Sequence, residues 1–405
     1  MQRETTDILI SGGGVAGLTA AAAFGAAGFS VICVDPNPPV TDGADDGADL
    51  RTTAFLQPAR ALLEEAGLWA RLAPHAAALD IMRIVDAGGA TPAPRIIKDF
   101  VASEISDQPF GWNLPNWLLR REMVARLADL PNVSFRAGVG TASVLTRESA
   151  ALVTLTDSTR ISARLLIAAD GRASPVRQAL NIPVTTTRYG QKALAFAVTH
   201  DRPHDNISTE VHRSGGPFTL VPLPDRDGKP SSAIVWMEQG PEVQRLAALP
   251  VAEFEAAMTE RSAGLYGPLT LATRRSVWPI ISQIADRFDG ERTALLAEAA
   301  HVVPPIGAQG LNMSLGDLRR LLDLARASPE RLGERVMLTS YNRQRWPEVK
   351  ARVTGIDLLN RTSMLGAPSL RDLRAGVLGA LYALAPVRRT LMKAGLGMSP
   401  TRKAG

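Results

Sequence analysis

The feature that most constrains the fold is a glycine-rich segment, SGGGVAG, at residues 11–17. It follows a short apolar stretch at residues 7–10 and precedes an alanine-rich run without proline. This pattern predicts a strand, a tight turn and a helix. Gly12 permits the turn, Gly14 lets the backbone approach a phosphate, and Gly17 lets the helix pack close to the strand. The sequence therefore predicts an α/β fold in which the helix N-terminus binds a pyrophosphate.

A second predicted strand, at residues 30–34, ends at Asp35. At this distance from the glycine loop, an acidic side chain binds a ribose hydroxyl of a dinucleotide. We expect Val15 and Ala16, in the first helical turn, to contact the same ligand through their backbone amides. The alternative is a glycine-rich turn that binds nothing. The matching strand, helix and acidic residue favour the ligand site.

Composition fits a soluble cytoplasmic enzyme. Of the 405 residues, 45% are hydrophobic and 21% are charged, as in ordinary globular proteins. The net charge is +5, but aromatic residues make up only 5% and most arginines are scattered, so we expect no nucleic-acid partner. Cys33 is the single cysteine, and no cysteine or histidine cluster has metal-site spacing. We find no secretory signal and no apolar run long enough to span a bilayer.

A third mark follows the predicted strand at residues 165–168, where Asp170 and Gly171 precede Ser174 and Arg177. Ligands of open α/β sheets bind at such strand ends. Asp170 could instead cap the turn after its strand, a common role of aspartate. Arg177 could equally be a solvated helix charge. The spacing of the four residues favours a functional site.

The fourth mark is a late segment that runs from Ala299 through His301 and Pro305 into a predicted helix at residues 311–326. Proline fixes the backbone, so Pro305 is suited to shaping a loop, although an ordinary rigid loop is an alternative. Backbone amides near the helix start could stabilise negative charge. His301 is a candidate catalytic base, and a packed, hydrogen-bonded histidine is the alternative.

The order of the predicted elements indicates interleaved domains. Residues 1–76, 111–187 and 279–345 have the strand and helix signals of a nucleotide-binding domain. Residues 77–110 and 188–278 read as short strands and turns, which predicts a β-rich substrate-binding domain of α+β character. Residues 346–405 are expected to form a C-terminal helical segment.

Together these motifs resemble those of group A flavoprotein aromatic hydroxylases, and most of all the ubiquinone-biosynthesis hydroxylases, from about residue 6 to beyond residue 357. The resemblance implies a Rossmann-like FAD-binding domain interleaved with a β-sheet substrate domain. It implies FAD contacts by Gly12, Gly14, Val15, Ala16, Gly17, Asp35, Arg51, Asn116, Arg120, Asp170, Gly171, Glu298, Gln309, Gly310, Leu311 and Asn312. It implies a catalytic loop with Pro305, Gly307 and Gln309, and His301 nearby.

Three residues depart from the family pattern. Related hydroxylases usually have glycine and aspartate where this chain has Ala297 and Glu298, and the aspartate hydrogen-bonds the ribityl chain of FAD. They also usually have glycine where this chain has Ala308. Glutamate keeps two acceptor oxygens but adds a methylene, so we expect FAD binding with altered geometry or reduced affinity.

The implied activity is aromatic-ring hydroxylation. NAD(P)H would reduce FAD, and O2 would then form a flavin hydroperoxide that transfers its distal oxygen to an electron-rich ring. The resemblance implies a polyprenylated phenol or benzoquinol intermediate of ubiquinone biosynthesis as substrate. Alternatives are a hydroxylase of another aromatic or polyketide substrate, a flavin halogenase, and a non-catalytic FAD-binding scaffold of a quinone-biosynthesis complex.

Two further expectations concern the substrate. Apolar side chains of the β-rich domain are candidates for lining its chamber, although core packing explains them almost as well: Phe196, Phe218, Val221, Leu223 and Trp236. From residue 361 onward, basic residues flank apolar runs at 377–384 and 391–392, with one acidic residue. This pattern suits docking to the inner face of the cytoplasmic membrane or to a membrane-associated complex, and a packed C-terminal helix is the alternative.

Overall fold

The computed structural model describes residues 3–89, 91–213, 215–364 and 385–396. Its strands are β1 (Glu4–Ser11), β2 (Val31–Asp35), β3 (Thr52–Leu56), β4 (Ala77–Leu79), β5 (Ile81–Asp86), β6 (Ile96–Val101), β7 (Gly111–Pro115), β8 (Val133–Ala137), β9 (Thr141–Arg147), β10 (Ala150–Leu155), β11 (Arg160–Ala168), β12 (Val184–Thr199), β13 (Ile207–His212), β14 (Pro217–Arg226), β15 (Lys229–Gln239), β16 (Thr270–Leu271), β17 (Ser276–Ala285), β18 (Asp289–Gly290), β19 (Thr293–Leu295) and β20 (His301–Val302).

The α-helices are α1 (Val15–Ala26), α2 (Gln57–Glu65), α3 (Trp69–Leu72), α4 (Asn116–Ala128), α5 (Pro175–Ala179), α6 (Gly240–Ala248), α7 (Val251–Arg261), α8 (Gln309–Ala327), α9 (Arg335–Ser363) and α10 (Ala385–Gly395). Eight of the twelve residues of helix α1 are alanine or glycine, ten of the twelve are buried, and the helix packs against α4 and α8. Small side chains let these helices approach closely and cover the sheet beneath them.

An eight-stranded sheet forms the nucleotide-binding part, with its main path in the order β18-β19-β11-β1-β2-β8. β1 pairs in parallel with β11 and β2, and β11 pairs in parallel with β19. Ile8, Leu9 and Ile10 are completely buried, as expected for a parallel strand with both faces covered. The carboxyl ends of these strands therefore lie at one edge of the sheet.

A nine-stranded, largely antiparallel sheet forms the second part, in the order β20-β17-β12-β15-β14-β13-β5-β6 with β16 beside β12. Helices α6 and α7 cover one of its faces. Phe196, Phe218 and Trp236 point to that face and form a core with Phe254 of α7. These three side chains are therefore part of the core, which was the alternative to lining the substrate chamber. They do not face the opposite side of the sheet. Alternation places Val221 and Leu223 on that opposite face.

The two large sheets are connected by a third, three-stranded sheet (β3-β7-β4) and by the long helix α9. Near its start, α9 packs on the parallel sheet, where the Tyr341 hydroxyl donates to the Leu295 carbonyl at 2.9 Å. Near its end, Asn360 Nδ2 donates to Gln191 Oε1 of β12 at 2.9 Å. Helix α9 thus fixes the position of one domain on the other.

The predicted fold class, an α/β nucleotide-binding domain interleaved with a β-sheet domain, is confirmed. The predicted boundary at residue 278 falls inside β17, which pairs with β12 of the nine-stranded sheet along its length. Likewise, α9 runs uninterrupted across the predicted boundary at residue 346. No helix in the described ranges is long and apolar enough to cross a membrane. Among those same residues, none group into a metal-binding cluster.

Candidate active site

The motifs found in the sequence meet at the carboxyl edge of the parallel sheet. The amides of Gly12, Ala169 and Leu296 each donate to a carbonyl of the adjacent strand at 2.8 Å. These bonds hold the glycine loop after β1, the Asp170 loop after β11 and the Glu298 turn after β19 side by side. Segments far apart in sequence therefore form one cleft.

Each glycine of the loop has a distinct steric role. Gly12 has φ +110°, and a side chain there would collide with the Ala169 carbonyl. A side chain at Gly17 would collide with the Gly12 carbonyl. At Gly14, by contrast, an added Cβ atom would meet no protein atom within 4 Å. Gly12 and Gly17 thus serve the fold, and Gly14 leaves open space beside the helix.

That open space lies at the N-terminus of α1, which is suited to an anion. The helix begins at Val15 with no side-chain cap and no acidic residue in its first turn. The first amides of a helix lack intrahelical acceptors, and the helix dipole favours negative charge there. Val15 and Ala16 therefore present free donors to a pyrophosphate, and the site fits the predicted cofactor.

Asp35 connects the end of β2 to the glycine loop. Its Oδ2 accepts from the Gly13 amide at 2.6 Å, and its Oδ1 accepts from the Asn37 amide at 2.8 Å. Each carboxylate oxygen can accept a further hydrogen bond. Asp35 thus orders the loop and keeps acceptor capacity for a ribose hydroxyl.

Asp170 has an incompletely used carboxylate. Its Oδ2 accepts from the Val176 amide at 3.1 Å. Its Oδ1 is buried and has no hydrogen-bond partner among the described residues. Burial raises the pKa of this carboxyl. Gly171 beside it has φ +85° and open space where a side chain would stand. An unsatisfied acceptor next to free volume fits a hydroxyl-bearing ligand.

Arg177 connects two of the cofactor segments. Its guanidinium donates to the Ala299 carbonyl and to the Arg172 carbonyl, each at 2.8 Å. The residue is only 4% exposed, so the alternative of a solvated helix charge is wrong. Ser174 caps the same short helix by accepting from the Arg177 amide at 3.0 Å. Arg177 therefore fixes the Asp170 loop relative to the Glu298 turn.

Arg51 and Asn116 lie in one polar network at the interdomain side of the cleft. Arg51 forms a bidentate ion pair with Asp49, and its guanidinium stacks on the Trp278 ring at 3.8 Å. Burial alone would raise the pKa of Asp49, but its hydrogen bonds to Arg51 hold the pKa below its usual value. Asn116 accepts from Thr53 at 2.8 Å and donates to Asp49 at 3.0 Å. The side chain of Asn116 thus positions Asp49 and, through it, Arg51.

Arg120 lies one helical turn after Asn116 on α4, the helix that packs against α1. Its Nε is buried and has no hydrogen-bond partner in the described part of the chain. Arg121 differs, because it pairs with Glu122 at 2.8 Å. A buried guanidinium nitrogen without an acceptor fits a phosphate or carbonyl ligand.

The late loop ends in the uncapped start of α8. Gly307 and Ala308 have φ +63° and +55°, and α8 begins at Gln309 without a side-chain cap. The amides of Gly310 and Leu311, in its first turn, lack intrahelical acceptors. Pro305 precedes this turn. Donors at a helix N-terminus are suited to a ligand that gains negative charge, as the predicted reduced flavin does.

Asn312 uses its side chain to attach α8 to β3. Its Oδ1 accepts from the Leu56 amide at 2.9 Å, and its Nδ2 donates to the Ala54 and Ala308 carbonyls, each at 2.7 Å. All these partners belong to the protein. The amide of Asn312 thus anchors the loop, and the donors available to a cofactor are backbone amides of α8.

His301 is enclosed in a buried charged network. It is 2% exposed, and its Nε2 lies 2.6 Å from Asp317 Oδ2. Asp317 is completely buried and accepts from Arg345 Nε at 2.7 Å. The network connects β20, α8 and α9. These contacts favour the packed alternative. Asp317 and Arg345 were missed in the sequence, although an aspartate on the apolar face of α8 was a usable signal.

The Glu298 side chain is exposed, whereas Ala297 before it, which has φ +56°, and Ala299 after it are buried. Burial lowers the pKa of Arg51, but the hydrogen bonds and charge of Asp49, with a smaller contribution from the charge of Glu298, hold it above its usual value. The sequence also gave no sign that Trp278 stacks on Arg51. Trp278 lies in a strand of one domain, and the sequence of that strand does not show which loop of the other domain contacts it.

The uncapped start of α1, the spare acceptor capacity of Asp35, the unsatisfied carboxylate of Asp170 and the donor-rich loop at α8 fit an FAD-dependent enzyme of the Rossmann-like class. Consistent with this, the chain belongs to the family described as "FAD binding domain", whose sequence profile matches residues 5–355. The enzyme is an FAD-dependent aromatic-ring monooxygenase, and NAD(P)H is the electron donor typical of its family.

Relatives resemble the chain over nearly its whole length. Ubiquinone hydroxylase UbiL of Rhodospirillum rubrum is 31% identical over 399 residues, which cover 97% of this chain and 90% of UbiL. The 3-demethoxyubiquinol 3-hydroxylase of Escherichia coli is 24% identical over 401 residues. The alignment covers 98% of this chain and 100% of the E. coli enzyme.

A solved structure shares the fold. p-Nitrophenol 4-monooxygenase PnpA of Pseudomonas putida superposes with a TM-score of 0.79 at 19% identity, covering 98% of this chain and all of PnpA.

Proposed function

We propose that this enzyme uses NAD(P)H and O2 to hydroxylate the ring of a polyprenylated phenol or benzoquinol intermediate of ubiquinone biosynthesis. The observation that carries the proposal is the full-length similarity to two enzymes named as ubiquinone or ubiquinol hydroxylases. Both matches cover at least 97% of this chain, so they include the cofactor cleft and the β-sheet domain.

The cofactor cleft supplies positioning. Bound FAD would carry the reducing equivalents of NAD(P)H and would supply the oxygen-activating ring. We assign the pyrophosphate to the amides of Val15 and Ala16, the ribose to Asp35, and a cofactor hydroxyl to the free oxygen of Asp170. Arg120 would neutralise phosphate charge. Gly14 and Gly171 would leave room for the cofactor.

The late loop would serve the reacting face. We assign to Pro305 and Gly307 the shape of the loop, and to the amides of Gly310 and Leu311 the stabilisation of negative charge. Glu298 would bind the ribityl hydroxyls. For His301 we propose a positioning role through Asp317, because its Nε2 is already paired and the whole side chain is buried.

The face of the nine-stranded sheet opposite α6 and α7 would receive the substrate. Ala193, Met237 and Ile280 form an apolar cluster there, with Tyr189 and Val235 packed against it. Ala193, Met237 and Ile280 are buried, so the apolar side chains open to a substrate on this face are the partly exposed Tyr189, Val221 and Val235. Such apolar side chains favour a prenylated ring and keep water from the reacting oxygen. The sheet face thus supports an apolar aromatic substrate.

The test is product formation. The purified protein should be yellow, and a short-tailed polyprenylphenol should stimulate NAD(P)H oxidation and yield a product 16 mass units heavier, the mass of one oxygen atom. The gene should also restore ubiquinone in a strain that accumulates prenylated precursors. Bound FAD with turnover of unprenylated phenols alone would support the alternative aromatic hydroxylase. Bound FAD without stimulated oxidation would support the scaffold.

We also propose that the C-terminal segment brings the enzyme to the inner face of the cytoplasmic membrane, or to a membrane-associated quinone-biosynthesis complex. The apolar run at residues 377–384 and the basic residues Arg371, Arg374, Arg402 and Lys403 lie outside the described residues. Within α10, Arg389 and Lys393 are exposed, whereas Met392 is packed on the protein. Flotation with anionic vesicles at low salt, lost at high salt, is the expected result. Unchanged flotation in the double variant Arg389→Glu, Lys393→Glu would exclude a contribution of α10.

A further inference from the structure

Helix α10 packs directly beside the late loop. Met392 and Leu396 are buried in a small apolar cluster with Leu56, Ala102 and Phe110. Leu56 ends β3, and Ala102 and Phe110 belong to the β-rich domain. Helix α10 therefore covers the place where the two domains meet.

Two polar contacts complete this packing. Gln309 Nε2, at the first position of α8, donates to the Gly395 carbonyl at the end of α10 at 3.0 Å. At the other end of the helix, Arg388 donates to Glu104 Oε2 from two nitrogens, at 2.7 and 3.1 Å. One end of α10 thus holds the late loop, and the other is attached to the substrate domain.

The position of α10 suggests that it moves during turnover. The chemistry requires a site closed to water, yet an apolar substrate must enter it. Among the described side chains, Met392 of α10 and Leu396 just after it belong to a small apolar cluster of their own, whereas the other helices at the cleft are built into the main core. Segments with few buried contacts open most easily.

We propose that α10 is a mobile cover over the substrate side of the late loop. It opens to admit the aromatic substrate and closes through the Arg388–Glu104 pair, and Gln309 is the positioning residue that couples its closure to the late loop. This inference rests on the proposed hydroxylase function.

The first test prevents opening. The double variant Glu104→Cys, Arg388→Cys can be joined by a short, reducible bis-maleimide, because the single native cysteine, Cys33, is buried. Before cross-linking, substrate-stimulated NAD(P)H oxidation establishes the proposed function. After cross-linking we expect the FAD content to stay constant, the stimulation to be lost, and reduction of the linker to restore it. Full stimulation in the cross-linked protein would overturn the proposal.

The second test favours opening. Arg388→Glu places two acids together, so we expect substrate to stimulate NAD(P)H oxidation as before while more of the oxygen leaves as hydrogen peroxide. The charge exchange Glu104→Arg, Arg388→Glu should restore the product yield. Arg389 also pairs with Glu104, at 3.9 Å, so it cannot serve as the control. Lys393→Glu is the matched charge reversal on the same helix, since Lys393 is exposed and forms no ion pair with Glu104 in the described part of the chain, and its product yield should equal that of the native enzyme. Equal peroxide yields in Arg388→Glu and Lys393→Glu would contradict a closing role.

Discussion

Replacing Gly14 by valine should weaken FAD binding severely while leaving the apoprotein folded. Gly14 has φ −70° and ψ 176°, which valine adopts without strain, and an added Cβ meets no protein atom within 4 Å. We therefore expect the free energy of unfolding of the apoprotein to change by no more than about 0.5 kcal/mol. The same side chain would occupy the space through which a pyrophosphate reaches the amides of α1.

The expected loss of affinity follows from those amides. A hydrogen bond to a charged group contributes about 1.5–3 kcal/mol, so losing two costs about 3–6 kcal/mol. That corresponds to a roughly 10²- to 10⁴-fold weaker Kd. Titration of apoprotein with FAD, followed by flavin fluorescence, measures the Kd, and urea unfolding measures stability.

Gly17→Ala is the matched control, because its Cβ would collide with the Gly12 carbonyl and should destabilise the fold itself. If Gly14→Val binds FAD with native affinity, the pyrophosphate does not lie at α1 and the assignment of the loop is refuted.

Three further substitutions test other parts of the structure. Glu298→Ala should weaken FAD binding by about 1–3 kcal/mol if the carboxylate binds the ribityl chain, and an unchanged titration would exclude that contact. Ala308→Gly should raise the free energy of unfolding by about 1 kcal/mol, because φ +55° favours glycine, whereas Ala325→Gly inside α8 should lower it in the same urea assay. Burial raises the pKa of Glu238 from 4.5 to about 7. The stability that the protonated side chain contributes is therefore complete below pH 4.5 and is lost as the pH rises through 7. The free energy of unfolding should fall by about 3 kcal/mol over this range. Glu238→Gln should flatten this dependence between pH 5 and pH 8, and an unchanged slope would show that another group titrates.

Local patterns predicted much of the fold. The glycine segment gave a correct strand, turn and helix, since β1 ends at Ser11 and α1 begins at Val15. The helix predicted at residues 311–326 is confirmed, although α8 begins two residues earlier, at Gln309. These elements follow from turn chemistry and helix propensity, which depend on neighbouring residues.

Contacts between segments far apart in the chain could not be predicted from the sequence. Asp49 and Trp278 meet on Arg51 although more than two hundred residues separate them in the chain. Alternation could show that Ile234 and Trp236 of β15 share a sheet face, but not that Phe196 of β12 shares it or that α6 and α7 cover it. The roles of Arg177 and Asn312 were likewise invisible, because their partners come from other parts of the chain.

The departures from the family pattern preserve the backbone geometry that glycine would give. Ala297 and Ala308, which stand where related hydroxylases usually have glycine, both adopt left-handed φ values, +56° and +55°. Each costs about 1–2 kcal/mol, so the surrounding contacts must hold them in place. Arg177 binds the Ala299 carbonyl beside the first alanine, and Asn312 binds the carbonyl of the second. Two strained turns held in place at one cleft fit a chain that binds FAD. Because the hydroxylase and the FAD-binding scaffold both require bound FAD, substrate-stimulated NAD(P)H oxidation is the measurement that separates them.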